Sequence, residues 1–116
     1  MGTSLREDPA KARRVLNERR AEVARSLGQV EGAAVAVDAD PQRVGGTSRL
    51  DELQQREIAG DAARRRRREL LRIDSALERV ESGEYGYCLA CGAPIPDARL
   101  ALDPAAVLCL PCAERA

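Results

Sequence analysis

Four cysteines carry the chemistry of this 116-residue chain. Cys88-Leu89-Ala90-Cys91 and Cys109-Leu110-Pro111-Cys112 make a C-x2-C-x17-C-x2-C pattern, a spacing that falls in the range of four-cysteine zinc sites. Each C-x2-C bends the chain so that two thiolates face one centre, and two such knuckles complete the tetrahedron that Zn2+ takes. Gly86 and Gly92 supply tight-turn conformations beside the first pair. Histidine is absent, which excludes a mixed Cys/His metal site and any Ser-His-Asp or Cys-His catalytic arrangement. Protein sulfur fills all four positions and leaves none for water or substrate, so one zinc with a structural role is expected and an enzyme is not. The rival reading of C-x-x-C as a redox motif calls for a surrounding βαβ pattern, and none is visible here. Thiol oxidation stands as a secondary sensitivity of the same site.

Composition narrows the remaining classes. The mass of 12.6 kDa allows one domain or two very small ones. Lys+Arg and Asp+Glu both total 19, and a neutral balance argues against a general nucleic-acid binder. Tyr85 and Tyr87 are the only aromatic residues, too few for a base-stacking platform. Met1 to Asp8 has no apolar signal region, and no stretch approaches the roughly 18 apolar residues of a membrane span. A cytoplasmic protein without a membrane partner is therefore expected, in a compartment where thiols stay reduced.

The segment that holds the cysteines, residues 83–116, has too few residues to fold on a core of its own. Metal binding worth about 10–16 kcal/mol in zinc-finger peptides would supply what it lacks. Upstream, two helical patterns must position it. After a polar leader at residues 1–9, expected to be flexible, Leu16, Val23, Leu27, Val30, Ala34 and Val37 recur in steps of three and four, with Arg20 in the one missing place. That a/d stripe predicts a long helix over about 10–36. Turn formers at 38–46 end it, and Ser48-Arg49-Leu50-Asp51 fits a capping box that opens a second helix. The second helix runs to about Glu81 on a stripe of Ala59, Ala63, Leu70, Ile73, Leu77 and Val80, with Gly83 where a C-terminal cap belongs. The fold class expected is mainly α: an antiparallel coiled-coil hairpin over residues 10–82 with its tip near 38–48, then a small four-cysteine zinc-finger globule over 83–116 with a short C-terminal helix. A loop centred near Val44 would set residue i opposite about 88 − i, which brings Gly28 to Gly60 at a point of close helix approach.

Arg64, Arg65, Arg66, Arg67 and Arg68 form a run that passes right around the helix at 100° per residue. Two readings stay open for it: an anion- or RNA-contacting patch, or a solvated segment with one arginine lying over the seam towards Glu18 or Glu22. The loop acids are equally divided. Asp38 and Asp40 serve as turn residues and Asp51 as a cap that suits the helix dipole, or all three present negative charge at the tip.

Residues 73–112 resemble the DksA/TraR family of bacterial transcription regulators. The text that carries the resemblance is Ile73, Ala76-Leu77-Glu78-Arg79-Val80, Gly83-Glu84-Tyr85-Gly86-Tyr87-Cys88-Leu89-Ala90-Cys91-Gly92, then Ile95, Arg99-Leu100, Pro104, Cys109 and Cys112. The resemblance implies a coiled coil that enters the secondary channel of RNA polymerase and a zinc finger that holds it there, without sequence-specific DNA binding. Some members act together with the alarmone ppGpp, which makes ppGpp a candidate ligand at the shared interface. The acidic D-x-x-D-x-A string of many members is missing. Arg43, Val44, Gly45, Ser48, Arg49 and Asp51 instead match a subgroup with R-V-G-x-x-S-R-x-D. The resemblance thus points to Asp38, Asp40, Arg43, Arg49 and Asp51 as candidate tip residues, and to Arg64–Arg68 and Arg99 as candidate partner contacts. The alternative is a zinc-ribbon adaptor that binds another protein or RNA through the arginine run. Charge fits a polymerase probe better: residues 83–116 hold two arginines against four acids, a mildly acidic globule beside a mildly basic hairpin.

Overall fold

The computed structural model describes residues 4–39 and 49–115, with side chains described at 4–32 and 53–115. Two long helices, α1 (Pro9–Ala39) and α2 (Arg49–Ser82), precede two short ones, α3 (Asp97–Leu102) and α4 (Leu110–Arg115). Among the described residues the sole extended pairing is an isolated antiparallel bridge between Tyr87 and Pro94. The chain divides into two compact units, Met1–Arg20 with Leu71–Ala116, and Ala21–Leu70.

Local signals explain where the elements start and stop. Asp8 caps α1, since the Lys11 N–H donates to its Oδ1 at 3.1 Å, and Pro9 occupies the first helical position, where a missing N–H costs nothing. At the end of α2, Gly83 adopts φ of +80°. Glu84 N–H then reaches Arg79 O at 2.9 Å and Gly83 N–H reaches Val80 O at 3.3 Å, the two bonds of a Schellman cap. From Ser4 the leader forms a turn: Glu7 and Asp8 N–H both donate to Ser4 O, and the turn so formed feeds the Asp8 cap. The Asp8-Pro9 pair was the signal for it.

In the first unit, Ala12 and Leu16 of α1 and Ile73, Ala76 and Val80 of α2 are buried together with Tyr85, Ile95, Leu100, Ala105 and Ala106. The residues after α2 thus add buried positions that two helices cannot supply. Tyr85 donates its hydroxyl to Pro104 O at 2.7 Å. Burial first, and the Asp103 charge second, push its pKa up to about 12. The described residues of the second unit form one helix pair, from α1 and α2. Among its described residues only Ala63 is buried, and Val23, Leu27 and Val30 are half-buried.

Cross-helix pairs fix the register. Arg13 joins Glu81 at 2.7 Å and Arg20 joins Asp74 at 2.7 Å in the first unit, which sets i opposite 94 − i rather than 88 − i. In the second unit Arg66 Nε donates to Ser26 Oγ at 3.1 Å and Arg67 pairs with Glu31. The pairing centre lies beyond Val44, in keeping with α1 running on through Ala39 instead of stopping at 36. Gly28 therefore does not meet Gly60: a Cβ at Gly28 would have nothing within 4 Å, and one at Gly60 would meet only the Arg64 side chain. The same offset moves the seam-covering arginine. It is Arg66, and it reaches Ser26, not Glu18 or Glu22.

Because Gly28 faces open space inside a helix, Gly28→Ala should raise stability by up to about 1 kcal/mol. Urea unfolding followed by circular dichroism reads this directly; a loss of stability would restore the close-approach idea.

Candidate metal centre

The first cysteine pair sits in a tight hairpin that follows the α2 cap. Ile95 N–H donates to Gly86 O at 2.8 Å, Cys88 N–H to Ala93 O at 2.7 Å, and Gly92 N–H to Cys88 O at 2.9 Å. The second pair opens α4, where Ala113 N–H donates to Cys109 O at 2.9 Å. A single backbone bond, Leu89 N–H to Val107 O at 2.8 Å, ties the two knuckles together.

All four sulfurs converge. Their Sγ atoms lie within 4.8 Å of one another, and Cys91 Sγ is 3.7 Å from Cys109 Sγ. Zinc bound at about 2.3 Å by four sulfurs has tetrahedral edges of about 3.8 Å, whereas a disulfide needs about 2.05 Å. The thiols are free and the cluster fits Zn2+. Among the described residues no other group of three or more cysteines and carboxylates gathers so closely.

The electrostatics of the bare sulfurs are uneven. Backbone N–H groups, that of Cys109 first and that of Cys91 next, favour the Cys88 thiolate and lower its pKa from 9.0 to about 6. Hydrogen bonds to the sulfurs of Cys109, Cys88 and Cys91 hold the proton on Cys112 and push it up to about 12. A divalent cation overrides this asymmetry, since a coordinating thiol is deprotonated outright. Protons therefore compete with the metal, and binding weakens as pH falls.

Arginines frame the knuckles by donating to carbonyls that flank the cysteines. Arg79, from the last turn of α2, donates to Tyr87 O at 2.8 Å and Glu84 O at 3.1 Å. Arg99, from α3, donates to Leu108 O at 3.0 Å. Arg6 donates to Gly86 O at 3.1 Å and to Ile95 O. Sequence patterning did not single out Arg6, because it lies 80 and 89 residues from Gly86 and Ile95 in a stretch without periodicity.

The other sequence candidates fall into three groups. Arg99 is half-buried and engaged inside the zinc module, where it donates to Leu108 O. Of the arginine run, Arg64 pairs with Asp61, Arg66 with Ser26 and Arg67 with Glu31, while Arg65 and Arg68 are exposed and pair with no described residue. Asp40 and Arg43 lie outside the described residues, as do the side chains of Asp38, Arg49 and Asp51.

The prokaryotic dksA/traR C4-type zinc finger model matches residues 83–116. The RNA polymerase-binding transcription factor DksA of Caulobacter vibrioides is 47% identical over 51 residues, which cover 44% of this chain and 36% of that protein. The chain thus spans about a third of the length of the curated relatives it matches. The structure of transcription factor DksA2 from Pseudomonas aeruginosa aligns with a TM-score of 0.79 at 30% identity, covering 92% of this chain and 81% of that one. The solution structure of the DnaK suppressor protein from Agrobacterium tumefaciens aligns with a TM-score of 0.62 at 28% identity, covering 100% and 98%.

Changing Cys109 to Ser should take zinc below one ion per chain and cost about 3 kcal/mol or more, because the metal supplies much of the folding energy of such modules. Metal analysis with thermal unfolding checks both. Full zinc retention would remove Cys109 from the ligand set.

Proposed function

The chain belongs to the DksA/TraR family, and from that premise we propose that it is a non-enzymatic transcription regulator that binds RNA polymerase through the secondary channel. The observation that carries the reading is a long antiparallel hairpin together with a four-sulfur cluster in one chain, whose fold aligns with that of DksA2 over 92% of its length. The metal is one structural zinc. Four cysteine ligands leave no open position for water or substrate, and the chain has no histidine to supply a general base.

In this reading the loop from Asp38 to Asp51 acts at the inner end of the channel, with Asp38, Asp40, Arg43, Arg49 and Asp51 as the acting residues. Docking falls to Arg65 and Arg68, since the other three arginines of the run are spent within the hairpin. That division also weakens the RNA-adaptor alternative, because two free guanidiniums without a stacking aromatic make a poor phosphate track. The interface shared with polymerase is where ppGpp would act. The protein works in the cytoplasm, where its polymerase partner resides. Among the described residues no helix is long and apolar enough to cross a membrane.

The chain should co-purify with core RNA polymerase at moderate salt and be displaced by another secondary-channel protein. Wild type that fails to bind polymerase sinks the reading. Reversing both free charges, as Arg65→Glu with Arg68→Glu, should weaken binding by about tenfold, on the order of 1.4 kcal/mol. Equal binding by that variant would remove these two arginines from the docking face while leaving the partner intact.

A further inference from the structure

We propose that Arg6 is a positioning residue of the metal centre: its guanidinium clamps the mouth of the first cysteine hairpin and so governs how firmly the module keeps zinc. The inference rests on the reading that the four-sulfur cluster holds zinc. It makes the segment before α1 part of the site.

The mouth of that hairpin is defined by Gly86, two residues before Cys88, and Ile95, four residues after Cys91. Their own backbone bond, Ile95 N–H to Gly86 O at 2.8 Å, closes it once. Arg6 closes it again. Nε donates to Gly86 O at 3.1 Å and the terminal nitrogen to Ile95 O, so one rigid fork spans both sides of the opening. The same terminal nitrogen lies 3.1 Å from Asp97 Oδ1, and the guanidinium carbon sits 5.9 Å from the centroid of the Tyr87 ring. The Arg6 side chain is only 14% exposed while Asp97 is 64% exposed. The ion pair is therefore well screened, and the desolvated bonds from a charged donor to two carbonyls do most of the holding.

The fit is specific to this pair of positions. Gly86 has φ of +90°, and a Cβ built there would stand 2.5 Å from Arg6 Cγ and 2.7 Å from Arg6 Cβ. Arg6 thus packs on bare backbone that only glycine leaves open. Its own placement is set from the other side, by the Ser4 turn and by the Asp8 cap of α1. A knuckle held shut at its mouth keeps Cys88 and Cys91 preoriented for the metal, as outer-shell partners do in other metal sites.

The test is transfer of zinc from the full chain to a chromogenic chelator, with Arg13→Ala as the control that breaks a pair at the base of the hairpin without touching the knuckle. Arg6→Ala should speed transfer by about tenfold, the lower end of what outer-shell changes cost in metal sites, and Arg13→Ala should stay within about twofold of wild type. Arg6→Lys keeps the charge but has one donor atom in place of the fork, so its rate should fall between Arg6→Ala and wild type. Wild-type rates in Arg6→Ala, or equal acceleration by Arg13→Ala, would overturn the proposal. Arg6→Lys transferring as slowly as wild type would overturn the clamp. Absence of zinc from wild type would instead mean that the metal reading itself fails.

Discussion

The C-terminal end of this chain is organised around four cysteine sulfurs, a donor set that fits one divalent cation. Gathered within 4.8 Å, the sulfurs cannot all ionise by themselves, and the proton that the sulfurs of Cys109, Cys88 and Cys91 hold on Cys112, pushed up to about 12, expresses that conflict. Zinc bound there would relieve it by offsetting two of the four negative charges. In return, two loops joined by a single backbone bond between Leu89 and Val107 would become one body. The apolar residues that accompany them, Tyr85, Ile95, Leu100, Ala105 and Ala106, are too few to close a globule of this size without a metal.

The second level of organisation is ionic. Arg6, Arg79 and Arg99 each donate to a carbonyl within two residues of a cysteine or at the mouth of its hairpin. These three come from the segment before α1, from the end of α2 and from α3. A chain nearly without aromatics, with alanine in much of its core, uses guanidinium-to-carbonyl bonds where larger proteins use packing. Such bonds also explain why the neutral net charge conceals so many arginines: most of those near the metal are committed internally. Of the arginine run, Arg65 and Arg68 stay exposed, and they lie on α2 outside the zinc module.

Much of this was legible in the residues themselves. The cysteine spacing announced the metal site, Gly83 marked the α2 cap, and the stripe from Ile73 to Val80 named the buried face. Helix existence was clear and helix pairing was not. Register depends on where α1 stops, and α1 runs on through Ala39, into the segment whose turn formers suggested an end. A six-residue shift in pairing then changed both the Gly28–Gly60 contact and the partner of Arg66. Arg6 was hidden for a different reason: its contacts are long-range in sequence and follow no period, so only folding brings it to Gly86 and Ile95. The function rests less on any one residue than on the union of hairpin and zinc module, a pattern that sequence carries mostly in its last third.

The central claim is a closed, all-sulfur zinc site that organises the module. X-ray absorption at the zinc edge of the purified full chain measures it most directly. The account predicts one zinc per chain with four sulfur neighbours at about 2.3 Å. A nitrogen or oxygen neighbour in the first shell, or fewer than four sulfurs, would contradict it.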